Sequence, residues 1–227
     1  MRNTITDIFF DLDHTLWDFE RNSALAFKRI LEKHHINVDL QEFLSHYIPL
    51  NFAYWEKYRN DQISQEDLRY RRLRDTFDLM KIEISDETIN ALSEDYIHYL
   101  PQFGHLFDDA LDILNYLHSR KYRLHIITNG FHDVQHRKIT SSGIGHFFTT
   151  VTNSESAGVK KPNPLIFEHA LKVSGACRTK SLMIGDCIEA DVRGALSCGI
   201  DAILFGGTCD DESIKKINTL TELKNYL

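Results

Sequence analysis

Four short apolar runs fix what this chain can become: Ile8 to Phe10, Leu124 to Ile127, Ser181 to Ile184 and Ala202 to Phe205. Each is of strand length, and a continuous apolar stretch of that length reads as a strand buried on both faces, the habit of a parallel sheet. Helical spacings lie between and beside the later runs. Ala110, Leu114 and Leu117 precede the second, Ile166, Ala170 and Leu171 precede the third, and Ala190 to Leu196 follow it. Strand and helix in alternation imply an α/β fold, a parallel sheet with helices on both faces.

The segment from Trp17 to about Leu100 departs from this alternation, with helical patterns and no convincing strand. Ala24, Phe27 and Leu31 recur at helical spacing, and Asp39 with Glu42 and Ser64 with Asp67 resemble capping boxes that open two further helices. A fourth helix is expected from Ser85, and Pro49 predicts a kink or break in the second. The expected division is therefore a core of residues 1–16 and 101–227 and an inserted all-helical unit, 17–100, acting as a lid.

A 227-residue chain with 42% hydrophobic content can bury a sizeable core. Its 26 basic and 33 acidic residues give a net charge of −7 without a block of like charge, so the electrostatic footprint of a nucleic-acid polymer is missing. No segment approaches the ~20 apolar residues of a membrane span, and no export signal is evident, so a soluble cytoplasmic protein is expected. Cys177, Cys187, Cys198 and Cys209 lack the spacing of a zinc site and read as reduced structural thiols. The pairs His34/His35 and His132/His136 read as helix surface.

In an open α/β sheet the ligand site lies beyond the carboxyl ends of the strands. The first run ends in Asp11, Asp13 and Thr15, the second in Thr128, Asn129 and Gly130, and the turn after the third, "IGDCIEAD", carries Asp186 and Asp191. Upstream, "GVKKPNP" supplies Lys160 and Lys161. Four carboxylates are thus expected to meet one lysine and several small donors. Residues two apart on an extended chain share a side, which brings Asp11 and Asp13 together while Leu12 turns away. Their repulsion calls for a cation, and magnesium, with its preference for carboxylate, carbonyl, water and substrate phosphate, fits Asp11 and Asp186 as ligands. Lys161 could bind a phosphate oxygen, with Thr128 and Asn129 adding hydroxyl, amide and backbone donors.

"DLDHT", "ITNG", "KKP" and "GDCIEAD", in this order and with a helical insert after the first, resemble the four motifs of the haloacid dehalogenase superfamily of phosphohydrolases, over nearly the whole chain. The resemblance implies a Rossmann-like core with a helical cap. It also implies roles: Asp11 as nucleophile forming an aspartyl-phosphate, and Asp13 as acid and base, its backbone carbonyl on the metal. Thr15 would orient the loop, Thr128 and Lys161 hold phosphoryl oxygens, Asp186 bind metal, and Asp191 support from behind.

The segment "HTLWDFERNSALAF" further resembles the pyrimidine 5'-nucleotidase group, which implies a small phosphorylated metabolite, a nucleoside monophosphate, as substrate. Trp17, Asp18 and Asn22 are the candidates for contact with its base or sugar. A phosphatase of another small metabolite, a phosphosugar mutase, a dehalogenase and an inactive interaction module are the alternatives. Asp13 speaks against a dehalogenase, and the intact motifs against an inactive module.

Overall fold

The computed structural model describes residues 5–227. Six strands make one wholly parallel sheet: β1 (Asp7–Phe10), β2 (Arg123–Thr128), β3 (Phe148–Asn153), β4 (Ser181–Gly185), β5 (Asp201–Phe205) and β6 (Lys215–Ile217), in the spatial order β3-β2-β1-β4-β5-β6. The four apolar runs are the four inner strands. The two edges escaped the sequence reading for a physical reason: β3 is threonine-rich with Thr149 and Val151 exposed, and β6 is the short segment "KKI". Edge strands are half solvated and carry no continuous apolar signal.

The chain runs outward from β1 through β2 to β3, then crosses to β4 and runs outward again through β5 to β6. Order therefore reverses between β1 and β4, and the loops that leave their carboxyl ends part there to make a crevice.

Helices α1 (Phe19–Lys33), α2 (Leu40–Arg59), α3 (Gln65–Leu79) and α4 (Asp86–Tyr99) precede β2, and α5 (Ala110–Ser119), α6 (His132–Ser141), α7 (Ser154–Ala157), α8 (Pro164–Ser174) and α9 (Gly194–Ser197) alternate with the later strands. The chain forms two compact units, Met1–Phe19 with Gly104–Leu227, and Glu20–Phe103.

Within the sheet unit, Phe9, Ile127, Met183 and Leu204 pack against Ile166 and Phe167 of α8 and Val192. The helical unit packs an aromatic centre: the Phe27 ring lies 4.5 Å from Tyr96 and 4.4 Å from Tyr47, and Phe43 lies 5.4 Å from Phe77. Asp39, Ser64 and Ser85 are helix N-caps, their side chains accepting from the N–H of Glu42, Asp67 and Thr88. Of the kink or break expected at Pro49, the break does not occur: α2 continues through the proline from Leu40 to Arg59. Buried residues on both sides, Phe43, Leu44 and Tyr47 before and Asn51 and Tyr54 after, tie both halves into one core.

Candidate active site

Beyond β1 the backbone N–H of Asp11 still donates to Ile184 of β4 (2.8 Å), so Asp11 sits where the crevice opens. The chain then folds on itself. Leu12 C=O accepts from Leu16 (3.0 Å) and Trp17 (2.8 Å), and the His14 N–H donates to Trp17 C=O at 3.0 Å. His14 takes a left-handed conformation, φ 61°, at the tip of this turn.

Lys161 is the centre of the site. Its ammonium, 2% exposed, donates to Asp11 Oδ1 (2.6 Å), Asp191 Oδ1 (2.6 Å) and the carbonyl of Ile127 (2.8 Å), so all three protons are used. Burial alone would lower its pKa, but the charges of Asp11 and Asp191 overcome this and raise it. Asn129 fixes the lysine from behind: Oδ1 accepts from the Lys161 N–H at 2.7 Å and Nδ2 donates to the Lys161 carbonyl at 2.9 Å. The Asn129 side chain is thereby committed to the protein, and its backbone carbonyl accepts from Ser154 Oγ at 3.2 Å.

After β4, Ile188–Arg193 form a π-helical turn that brings Asp191 back under the strand end. Asp191 Oδ2 accepts from the Cys187 N–H at 3.0 Å. Gly185 is required by this return, since a Cβ there would overlap the Asp191 side chain. Asp11, Asp186 and Asp191 each bring one carboxylate oxygen within 4.8 Å of the other two. Burial, opposed by Lys161 and reinforced by the charges of Asp191 and Asp13, pushes Asp11 up to about 7. Burial, followed by the charges of Asp191 and Asp11, raises Asp186 well above the usual carboxylate range. Three carboxylates face one ammonium, and every donor is a hard oxygen. That set fits a magnesium ion, which would relieve the excess negative charge.

Asp13 has partners that the sequence reading missed. Lys138 Nζ donates to Asp13 Oδ1 at 2.6 Å, and Gln135 Nε2 donates to Asp13 Oδ2 at 3.0 Å. The expectation of one lysine among the carboxylates is corrected here: Lys161 serves Asp11 and Asp191, while Lys138 serves Asp13. Gln135 and Lys138 sit one helical turn apart on α6, directly after "ITNG", in a polar sequence that carries no local signal of burial.

Trp17 is fully buried, and Lys138 Nζ lies 4.4 Å from its ring. The Asp18 N–H donates to His105 C=O at 3.1 Å. Asn22 is fully buried in the helical unit. Thr15 is fully buried and its hydroxyl has no hydrogen-bond partner among the described residues. Thr128, 2% exposed at the end of β2, faces Gln135. None of the four cysteines is in a disulfide.

The chain is 33% identical over 202 residues to pyrimidine 5'-nucleotidase PynA of Streptococcus pneumoniae, covering 87% of this chain and 82% of that protein. It is 29% identical over 194 residues to pyrimidine 5'-nucleotidase YjjG of Escherichia coli, covering 85% and 82%. Its fold matches the crystal structure of Bacillus subtilis YfnB bound to magnesium, with a TM-score of 0.87 and 25% identity over 99% of both chains. A family model for haloacid dehalogenase-like hydrolases matches residues 7–199, and the chain belongs to that family.

Proposed function

We propose that this protein is a magnesium-dependent phosphomonoester hydrolase that works through an aspartyl-phosphate on Asp11 and cleaves pyrimidine nucleoside 5'-monophosphates. The observation that carries the reading is the hub at Lys161, one buried ammonium shared by Asp11 and Asp191 beside a cluster of three carboxylates. Residues 1–16 and 101–227 would be the catalytic core. The helical segment, 17–100, would be its cap, and the cytoplasm its compartment.

Asp11, Asp186 and the Asp13 backbone carbonyl would hold the magnesium, with Asp191 steadied behind them by Lys161 and Cys187. Bound there, the ion would supply positive charge to the phosphoryl oxygens and to the carboxylates around it. A carboxylate oxygen of Asp11 attacks phosphorus, the bond to the leaving alcohol oxygen breaks, and Asp13 gives that oxygen its proton. Asp13, now a carboxylate, takes a proton from water as the water oxygen attacks phosphorus. The bond to Asp11 breaks and inorganic phosphate leaves. The Thr128 hydroxyl binds one phosphoryl oxygen, with the Asn129 backbone beside it, and Lys161 turns to another the proton it gives Asp11, as that carboxylate bonds to phosphorus.

These groups read only phosphate, so choice of leaving group must come from the cap and the segment that joins it, where Trp17, Asp18 and Asn22 lie. A helical cap of this size suits a small metabolite and would obstruct a polymer. The likeness to two pyrimidine 5'-nucleotidases supports a flat pyrimidine base. The test compares kcat/KM for dUMP, UMP and dTMP with purine monophosphates, sugar phosphates and phosphoglycolate. Pyrimidines should lead; a tenfold lead for sugar phosphate or phosphoglycolate, about 1.4 kcal/mol in transition-state binding, would overturn the nucleotidase reading and leave the phosphatase reading standing.

A further inference from the structure

Gln135 and Lys138 lie outside all four sequence motifs, yet they are among the least exposed polar residues of the chain, at 1% and 2%. Burying an ammonium and an amide costs stability unless their partners are well placed. Lys138 meets Asp13 Oδ1 at 2.6 Å and lies beside the rings of Trp17 (4.4 Å) and Phe19 (5.2 Å), so its charge is lodged between a carboxylate and aromatic faces. Gln135 spends both protons of one amide nitrogen, one on Asp13 Oδ2 (3.0 Å) and one on Thr128 Oγ1 (2.7 Å). Its carbonyl oxygen is buried with no partner among the described residues, so the donor end is what this position uses.

The consequence for Thr128 follows from lone-pair counting. Its Oγ1 accepts from Gln135 Nε2 and also from the Gly130 N–H at 3.1 Å. A hydroxyl has two acceptor lone pairs and one proton. With both lone pairs occupied, the proton must point elsewhere, which makes Thr128 a committed donor. Gly130 is part of the same arrangement, because a Cβ there would overlap the Gln135 side chain.

We infer that Gln135 and Lys138 are positioning residues for the hydrolytic reaction. Lys138 and Gln135 together fix both oxygens of the Asp13 carboxyl where it exchanges a proton with the leaving oxygen, and Gln135 with the Gly130 N–H turns the Thr128 hydroxyl toward the phosphoryl group. This rests on the phosphohydrolase reading of the site. One glutamine thereby couples the proton-transfer residue on the β1 turn to the phosphate donor at the end of β2.

The test is a leaving-group comparison on Lys138→Met, Gln135→Leu, Lys138→Arg and Gly130→Ala, each checked by thermal melting, with magnesium present. p-Nitrophenolate departs without a proton, whereas the sugar oxygen of a nucleoside monophosphate needs one. Positioned acid–base groups contribute about 10²–10⁴-fold, so Lys138→Met should lose at least about tenfold in kcat/KM on UMP and less than about threefold on p-nitrophenyl phosphate, while Gln135→Leu, which releases the Thr128 hydroxyl as well, should lose on both esters and at least about threefold more on UMP. A larger pre-steady-state burst of p-nitrophenolate should accompany this, since Asp13 also serves the water step. Lys138→Arg should recover part of the UMP rate, and Gly130→Ala, which displaces Gln135 without removing it, should behave like Gln135→Leu.

Equal losses on both esters, or full activity in both deletion variants, would overturn the inference while leaving the phosphohydrolase reading intact. Wild-type protein that cleaves neither ester would overturn that reading and the inference with it. If Lys138→Met does not fold, Gln135→Leu and Gly130→Ala decide by the same ratio.

Discussion

Asn129 holds Lys161 by both ends of one amide, accepting from its N–H at 2.7 Å and donating to its carbonyl at 2.9 Å. Lys161 is thus placed through its backbone at the same time as its ammonium is placed through Asp11 and Asp191. Two part-buried hydrogen bonds are lost in Asn129→Ala, which should lower stability by about 1–3 kcal/mol. Activity should fall more steeply than stability, because a shifted lysine loses register with the phosphoryl group. Denaturant melts and steady-state kinetics on the same sample check both, and activity unchanged in a destabilised variant would remove Lys161 placement from the account.

Substitutions of the three carboxylates should separate metal from rate. Asp11→Asn should abolish turnover, because an amide is a poor nucleophile and a weak magnesium ligand. Asp13→Asn keeps its backbone carbonyl, so calorimetry should find magnesium affinity retained while the rate falls by about 10²- to 10⁴-fold. Asp186→Asn should weaken magnesium binding first. The reverse pattern, metal lost in Asp13→Asn and kept in Asp186→Asn, would exchange their roles.

Gly185→Ala tests the packing of the carboxylate cluster without removing a charge. Its methyl group would overlap the Asp191 side chain, which is also a partner of Lys161. Overpacking at such a site should cost about 1–3 kcal/mol, and magnesium should bind more weakly in a titration monitored by calorimetry.

Protons and magnesium should compete at Asp11. With its pKa pushed up to about 7 by burial, the metal-free protein holds a proton there that the unfolded chain releases near pH 4. The raised value means that this contribution to stability is full at acid pH and is lost as pH rises through about 7. Magnesium should therefore raise the melting temperature more at pH 8 than at pH 6, and its binding should release protons, measured by titration in buffers of different ionisation enthalpy. Equal stabilisation at both pH values with no proton release would contradict this.

At the opposite end of the sheet, His125 is fully buried, with Nδ1 2.9 Å from Thr150 Oγ1 and Nε2 3.2 Å from Asp7 Oδ1. Burial lowers its pKa despite Asp7. The unfolded chain then takes up a proton near pH 6.5 that the folded protein resists, so stability is held above that pH and lost below it, by at most about 1.4 kcal/mol per pH unit from this residue. Melts from pH 7.5 to 5.5 should show a steeper decline in the wild type than in His125→Gln.

The four inner strands were legible because burial on both faces leaves an apolar run in the sequence, and the carboxylates were legible because they end those runs. Asn129 was legible as a site residue but not as the anchor of Lys161, since a contact across 32 residues leaves no local trace. Gln135 and Lys138 were hidden for the same reason: a Gln-x-x-Lys pair on a polar helix reads as solvated surface. Only the arrival of Asp13, 125 residues earlier in the chain than Lys138, makes that surface an interior.

The central position of β1 has a consequence for the birth of the protein. Ile8 pairs with Leu124 on one side and Leu182 on the other, so β1 leaves the ribosome before either neighbour and waits for both. At about 5–20 residues per second, its first partner follows on the order of ten seconds later and its second later still. Throughout that interval an apolar strand exists with two open edges, each a template for pairing with another chain. A nascent chain stopped short of β4 would still carry one of them, which makes β1 the segment of this protein with most need of a chaperone.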